Sequence, residues 1–468
     1  MKLIKIAAAA AFILTSPTFA SDSIIPVAKE TIDTASSLRD VASTDDNAYE
    51  ILKSLTTEVG ARHPGTPGEK AGIEWGIRKL TELGFDKVYT EDVAMNGWVR
   101  ELETAEIMFP SYQKMIITAL GRSKSTPKGG LEAPIVHFES YQDLEKAADG
   151  SLKGKIAFIS KRMERFKDGA GYGPANISRS KGHELAAQKG AEALLIRSIG
   201  TDDHRNPHTG ATNVAMGYTQ VPAVALSNPD ADQLVRLMEY GHSPKIRLNI
   251  QTKDLGPIVT KNVIGEITGR ELPDEVVVIG GHLDSWDLGT GAVDDGAGVA
   301  IAMATAALIK NNTKMHPRRT IRVILWGAEE LGLIGARAYA KAREADGTIA
   351  KHIIGSESDF GAGPVYGLQS SNNVSPKAIH VIDTMAGLMG ELGVTRRSGN
   401  TSGGPDMIPL AALGVPAINL MQDGTDYFDL HHTPDDTFDK VNPEHMRQNV
   451  AAWAVFTYIA AEWPGYFK

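Results

Sequence analysis

Val276-Val277-Val278-Ile279-Gly280-Gly281-His282-Leu283-Asp284-Ser285-Trp286 opens on four β-branched apolar residues and runs through two glycines to a histidine. Such a run, without polar alternation, predicts a strand buried on both faces, as in parallel sheets covered by helices. A second run of this kind, Ile321-Arg322-Val323-Ile324-Leu325-Trp326, leads into Gly327-Ala328-Glu329-Glu330. Two more strands are expected at His352-Ile353-Ile354 and at Val415-Pro416-Ala417-Ile418-Asn419-Leu420. Helical patterns fill the gaps, over 297–310 and 331–343, and Asn442-Pro443 opens a last helix to about residue 463. Strands alternating with helices predict an α/β domain with a mixed, mainly parallel central sheet flanked by helices.

Outward from this half the texture changes. Thr66-Pro67-Gly68-Glu69 carries an N-cap, Pro at the first helical position and Glu two residues on, the signature of a capping box. Ile73, Ile77 and Leu80 follow at helical spacing, and Gly84 stands where a left-handed C-terminal residue belongs. Residues 113–255 hold short strands such as Ile156-Ala157-Phe158-Ile159, one helix over 182–190, and frequent Pro and Gly. They are expected to form a smaller, β-rich module inserted between 46–112 and 256–468. At 468 residues the chain exceeds what one hydrophobic core usually supports.

The N-terminus has the parts of an export signal. Lys2 and Lys5 precede the apolar run 6–14, and Thr15-Ser16-Pro17-Thr18-Phe19-Ala20 supplies a small-residue cleavage site after Ala20. The run is too short for the ~30 Å of a bilayer core. A periplasmic or secreted protein with no membrane span in its mature chain is therefore expected. Residues 21–45, polar and rich in Ser, Thr and Asp, are expected to be a leader or propeptide-like segment. Net charge is −9 with no basic block, which argues against nucleic acid as a partner. There is no cysteine, so any metal must be held by His, Asp and Glu.

Four stretches carry candidate chemistry, each beyond a predicted strand end, where open α/β sheets place their sites. His282 is a candidate zinc ligand, with Asp284 two residues on to orient its imidazole. Asp294, in Asp294-Asp295-Gly296-Ala297-Gly298, follows a Gly-rich loop, and its two oxygens could touch two metals. Glu329 and Glu330 are adjacent acids whose repulsion needs a cation or a shared proton to offset it. Glu330 is assigned to metal and Glu329 to the proton of a bound water. Asp359 in Glu357-Ser358-Asp359 and His432 in His431-His432-Thr433-Pro434-Asp435-Asp436-Thr437 complete the set. Each stretch alone has a plain structural explanation in a loop, a helix start or a surface histidine; together, in this order, they do not.

The order His-x-Asp, Asp-Asp-Gly-x-Gly, Glu-Glu-x-Gly, Asp, His-x-x-x-Asp-Thr is similar to that of the co-catalytic zinc aminopeptidases. It looks most like their carboxypeptidase Q branch, also called plasma glutamate carboxypeptidase. The closer likeness includes Gly281 to Asp287, Arg179-Ser180-Lys181-Gly182, Leu195-Ile196-Arg197-Ser198 and Pro207-His208-Thr209-Gly210. The resemblance implies two zinc ions bridged by Asp294, one completed by His282 and Asp359, the other by Glu330 and His432. It implies Glu329 as general base and then general acid, a cis peptide at Asp294–Asp295, and a peptide or dipeptide substrate cut near a free terminus. It further implies that the module at 113–255 is like a protease-associated domain, and that the protein is a homodimer. No motif fixes the oxyanion stabiliser. Ser402-Gly403-Gly404-Pro405-Asp406 matches a family loop only loosely, with Asp406 beside the site or binding a substrate amine. The rival expectations are a single-zinc acyl transferase of the glutaminyl cyclase type, a non-catalytic receptor-like relative, and a deacylase-type amidohydrolase.

Overall fold

The valine and isoleucine runs become the buried strands of a single eleven-stranded sheet. In chain order these are β1 (Lys87–Phe109), β2 (Gln113–Met115), β3 (Ile117–Ala119), β4 (Leu131–Phe138), β5 (Ile156–Ile159), β6 (Ala193–Arg197), β7 (Ala223–Leu226), β8 (Lys245–Ile267), β9 (Leu272–His282), β10 (Arg319–Trp326) and β11 (His352–Glu357). The computed structural model describes residues 24–214 and 219–468, so the expected export signal at 1–20 lies outside the described residues. In one half of the sheet β11, β9 and β10 are parallel neighbours, and β8 closes against β10 antiparallel. In the other half β4, β5, β6 and β7 are parallel, with β3 antiparallel at the edge.

The halves are joined by β1 and β8, each 23 residues long and paired antiparallel from Lys87↔Glu266 to Phe109↔Lys245. Val263 to Ile267 of β8 pair with β10, and Lys245 to Leu248 pair with β4, so one strand belongs to both halves. The expected module boundary at 255/256 falls inside β8. There Gly97 pairs with Gly256 and Trp98 with Asp254, leaving Leu255 as the extra residue of a bulge that bends the ribbon. The segment 113–255 was expected to be β-rich with one helix over 182–190; that helix is present as Gly182–Gln188, and the segment also carries Tyr141–Lys146, Tyr172–Ser180 and Asn228–Glu239. Its parallel strands require crossovers, and helices supply them.

Helix Ala297–Asn312 lies beneath the half of the sheet that holds β9, β10 and β11, with all but its last three residues buried. Together with the turn before it, the stretch Ala292–Asn312 is long and apolar enough to cross a bilayer, yet here it is enclosed by the fold. The C-terminal helix Pro443–Glu462, capped by Asn442 with Pro443 in its first turn, packs against it. So does a helix the sequence reading missed. Within the segment expected to be a leader or propeptide-like, Lys29–Ala42 is a helix that packs on the C-terminal helix and buries Ala35, Leu38 and Ala42. Two alanines and one leucine in a polar stretch make a narrow apolar stripe that composition hides.

Two further local expectations are modified. Thr66 caps the helix Pro67–Glu82 by accepting from the Glu69 N–H at 3.3 Å. The reciprocal half of the capping box is absent, because the Glu69 carboxylate accepts from Gly65 N–H and Thr260 Oγ1 instead. The strand expected at 415–420 begins later, at Ile418–Gln422. It lies in a separate three-stranded sheet with Val365–Ser370 and Thr395–Arg396. Pro416 has no N–H to donate to a ladder, and only its carbonyl reaches β11, accepting from Gly355 N–H at 3.0 Å.

Candidate active site

Three adjacent parallel strands end side by side, and the candidate residues sit at or just beyond their carboxyl ends. His282 is the last residue of β9, Glu329 and Glu330 follow β10, and Asp359 follows β11. Asp294 comes from the turn Ala292–Gly296 that enters the core helix, and His432 from the loop after the short helix Tyr427–Leu430. The entry turn needs small residues: a β-carbon on Gly298 would strike the Ser358 carbonyl and the Asp295 carboxylate. The Asp294–Asp295 peptide is cis.

All five expected metal ligands converge. The Asp294 carboxylate stands between two imidazoles, with His282 Nε2 at 3.1 Å from Oδ1 and His432 Nε2 at 3.2 Å from Oδ2. His282 Nε2 is also 3.6 Å from Asp359 Oδ1, and His432 Nε2 is 3.0 Å from Glu330 Oε2. His282, Asp294, Glu330 and His432 are buried, and Asp359 is partly exposed. His431 stacks on His432 with ring centroids 3.5 Å apart, and its Nε2 is 3.7 Å from Asp294 Oδ2. His432 is thus the nearer of the two to the carboxylates.

Asp284, expected to orient the His282 imidazole, meets it through its backbone: His282 Nδ1 donates to the Asp284 carbonyl at 2.8 Å, and the carboxylate stands 3.8 Å away. The Asp284 carboxylate instead accepts from the Glu329 and Glu330 N–H groups at 3.0 and 3.3 Å. One residue therefore fixes both the imidazole after β9 and the acids after β10.

Several positioning groups escaped the sequence reading. Asp436 accepts from Val293 N–H at 2.6 Å and from Asp294 N–H at 3.2 Å. Asp295 accepts from His282 N–H at 2.9 Å and from Gly298 N–H at 3.1 Å. Arg62, fully buried, donates to the carbonyls of Leu283, Thr290 and Gly291 at 2.5, 2.6 and 2.9 Å, tying together the loops around the site. The spacing of Asp436 from His432 was a usable signal. For Arg62 there was none, because the loops it ties down are reached through backbone carbonyls more than two hundred residues away. Asp406, expected beside the site, is fully buried and its N–H donates to Glu357 Oε2 at 2.6 Å.

The electrostatics describe a cluster short of positive charge. Burial opposes charge on Asp294, but the flanking His282 and His432 imidazoles hold its carboxyl well below the usual range. Burial likewise opposes charge on His432, yet Glu330 and Asp294 push it up to about 9. Burial, opposed by His432 and reinforced by Asp294, brings Glu330 to about 7. Burial and the neighbouring Asp359 bring Glu357 to about 8. Glu329 is held well above the usual carboxylate range, first by burial, against His282, and then by Asp359 and Glu330.

Among the described residues, no Lys or Arg forms an ion pair with Asp294, Glu330 or Asp359. Asp294 Oδ2 and Glu330 Oε1 are buried without a hydrogen-bond partner. Unpartnered buried carboxylate oxygens facing imidazoles are what a cation would satisfy, and a set of His and carboxylate donors without thiolate suits zinc. Ligand atoms of His282, Asp294 and Glu330 lie within 4.8 Å of one another, as do those of His282, Asp295 and Asp359, and of Asp294, His431 and His432.

Comparison with known proteins points the same way. Residues 262–457 match Peptidase family M28. The solved Peptidase M28 precursor from Shewanella amazonensis SB2B is 46% identical, covers 94% of this chain and 98% of that one, and has a TM-score of 0.90. Carboxypeptidase Q from Mus musculus is 33% identical over 89% of this chain and 86% of that protein. BSAP, a zinc aminopeptidase from Bacillus subtilis, is 20% identical, covers 89% of this chain and 94% of that one, and shares the fold with a TM-score of 0.66.

Proposed function

This chain belongs to peptidase family M28 and is a metallopeptidase, and from that premise we propose a two-zinc exopeptidase acting beside a free chain terminus. Asp294 would be shared by the two zinc ions, with His282 and Asp359 holding one and Glu330 and His432 the other. The observation that carries this is the Asp294 carboxylate itself, each oxygen turned to a different imidazole at 3.1 and 3.2 Å. Zinc bound there would polarise the scissile carbonyl and lower the pKa of water towards ~7.

Glu329 accepts the proton of the attacking water as its oxygen adds to the carbonyl carbon. It returns that proton to the amine nitrogen as the C–N bond breaks. Asp284 holds the Glu329 backbone for this and holds His282 through its own carbonyl. Burial favours a carboxyl that keeps its proton until the amine leaves.

The substrate is a peptide or dipeptide, residues 113–255 form an inserted protease-associated-like module over the site, and the mature protein is exported and dimeric. Likeness to carboxypeptidase Q over most of both chains supports the substrate class. The test is zinc content per chain together with turnover of a panel of dipeptides and aminoacyl anilides, with and without chelator. Two zinc ions and chelator-sensitive hydrolysis are expected. A single zinc with no peptide cleavage would favour an acyl transferase of the glutaminyl cyclase type and overturn the proposal.

A further inference from the structure

His432 adopts a φ of +63°, the left-handed region, which a residue other than glycine keeps only where its surroundings over-determine it. Those surroundings come largely from the segment 113–255. His208 Nδ1 lies 2.6 Å from the His431 carbonyl, which can only accept, so Nδ1 carries the proton of that bond. The Thr209 N–H donates to the His432 carbonyl at 3.1 Å, and the Thr209 carbonyl accepts from His432 Nδ1 at 3.1 Å. Arg179 Nη1 donates to the same Thr209 carbonyl at 3.2 Å. Two consecutive residues thus hold both carbonyls of the His431–His432 pair and the inner nitrogen of the candidate ligand.

His208 is itself fixed. Its Nε2 is 2.7 Å from Asp202 Oδ1, and its backbone N–H donates to Ser198 Oγ at 2.8 Å. Asp202 Oδ1 accepts from Asn228 Nδ2 at 3.2 Å, and Oδ2 from His204 N–H at 3.0 Å. His208 is 1% exposed and Asp202 4%. The next residue must be glycine: Gly210 has φ +135°, and a β-carbon there would strike Arg179 and come within 2.8 Å of His432 Nδ1. A buried His–Asp pair serving only its own module would bond within that module. This one ends on the carbonyl that precedes His432.

We propose that His208, oriented by Asp202, is a positioning residue for the His432 metal site, so that the inserted segment supplies the outer support of one of the two metals. The inference rests on the reading of His432 as a ligand. With the 431–432 backbone held from behind, His432 Nε2 faces Asp294 Oδ2 and Glu330 Oε2. Supports of this kind commonly change metal affinity by ~10–100-fold when removed.

The experiment is a zinc titration of the metal-free full-length protein, with kcat and KM measured in parallel, for wild type, His432→Ala, His208→Ala, His208→Asn and Asp202→Ala. His208→Ala is expected to weaken one of two zinc sites by ~10–100-fold, leave the other unchanged, and lower kcat more than it moves KM. His208→Asn is expected to recover most of the affinity, since its amide N–H takes the place of Nδ1–H. Wild-type affinity at both sites in His208→Ala, with one site lost in His432→Ala, overturns the positioning role alone. Two intact sites in His432→Ala instead overturn the ligand assignment beneath it. If His208→Ala does not fold, Asp202→Ala decides: the same single-site weakening is expected, and unchanged affinity sinks the proposal.

Discussion

The same strands end in opposite electrostatic conditions. At its amino end β10 begins with Arg319, fully buried, which donates to Glu275 at 2.6 Å, to the Gly465 carbonyl at 2.9 Å and to the Trp463 carbonyl. Nearby, Arg270 pairs with Glu462 and Arg318 with Glu271. Charge there is cancelled within the protein. At the carboxyl end of the same strands, Asp294, Glu330, Asp359, Glu329 and Glu357 gather around two imidazoles with no such cancellation. One end of the sheet is built to hold together, the other to hold something else. A buried charge whose partners lie within the fold is costly to strip of one of them, whereas a cluster left short of partners marks a candidate site.

The sharpest way to break this contrast is Glu329→Gln. Turnover is expected to fall by ~10²–10⁴-fold with zinc content and melting temperature close to wild type. Near-normal turnover would remove Glu329 from proton transfer. At the opposite end, Arg319→Ala leaves Glu275 buried without its guanidinium and is expected to cost ~3–5 kcal/mol of stability by denaturant titration. Its kcat/KM per folded molecule should not change, and a large loss there would show that the two ends are not separable.

The smallest effect concerns His352, the first residue of β11. Burial, with Arg322 nearby, pushes this imidazole down to about 4, while its neutral ring bonds Tyr339 OH at 2.8 Å. A depressed folded pKa means that the unfolded chain binds the proton first. Its contribution is therefore full above about 6.5 and is lost as pH falls through about 4. His352→Gln should flatten the stability curve in that window by up to ~1.4 kcal/mol per pH unit, measured by chemical unfolding. An unchanged slope would assign the acid sensitivity to the carboxyl-end cluster instead.

How much of this was legible in sequence follows from the range of the forces involved. The strands ending on His282 and Trp326 were readable because burial on both faces leaves an unbroken apolar run. The five candidate ligands were readable because each lies just past such a run or in a motif of fixed spacing. The helix Asn228–Glu239 could have been found: Ser227 caps it with Pro229 in its first turn, the same rule that located Pro67–Glu82. The helix Tyr172–Ser180 has no side-chain cap and gave no such signal. Arg62, His208 and the backbone role of Asp284 were hidden for one common reason. Each works through a backbone carbonyl, of a distant segment for Arg62 and His208 and its own for Asp284, and a carbonyl has no residue type to pattern against.

The helix Lys29–Ala42 has a consequence for how the chain can be trimmed. Ala35, Leu38 and Ala42 are sealed against the C-terminal helix, and Arg39 donates to the Leu388 carbonyl at 2.8 Å. A protease that clipped anywhere beyond this helix would peel off a cover and leave an oily strip on the outside of the molecule. A cut upstream of Lys29 would leave that cover in place, so this helix serves as a lining for the C-terminal helix.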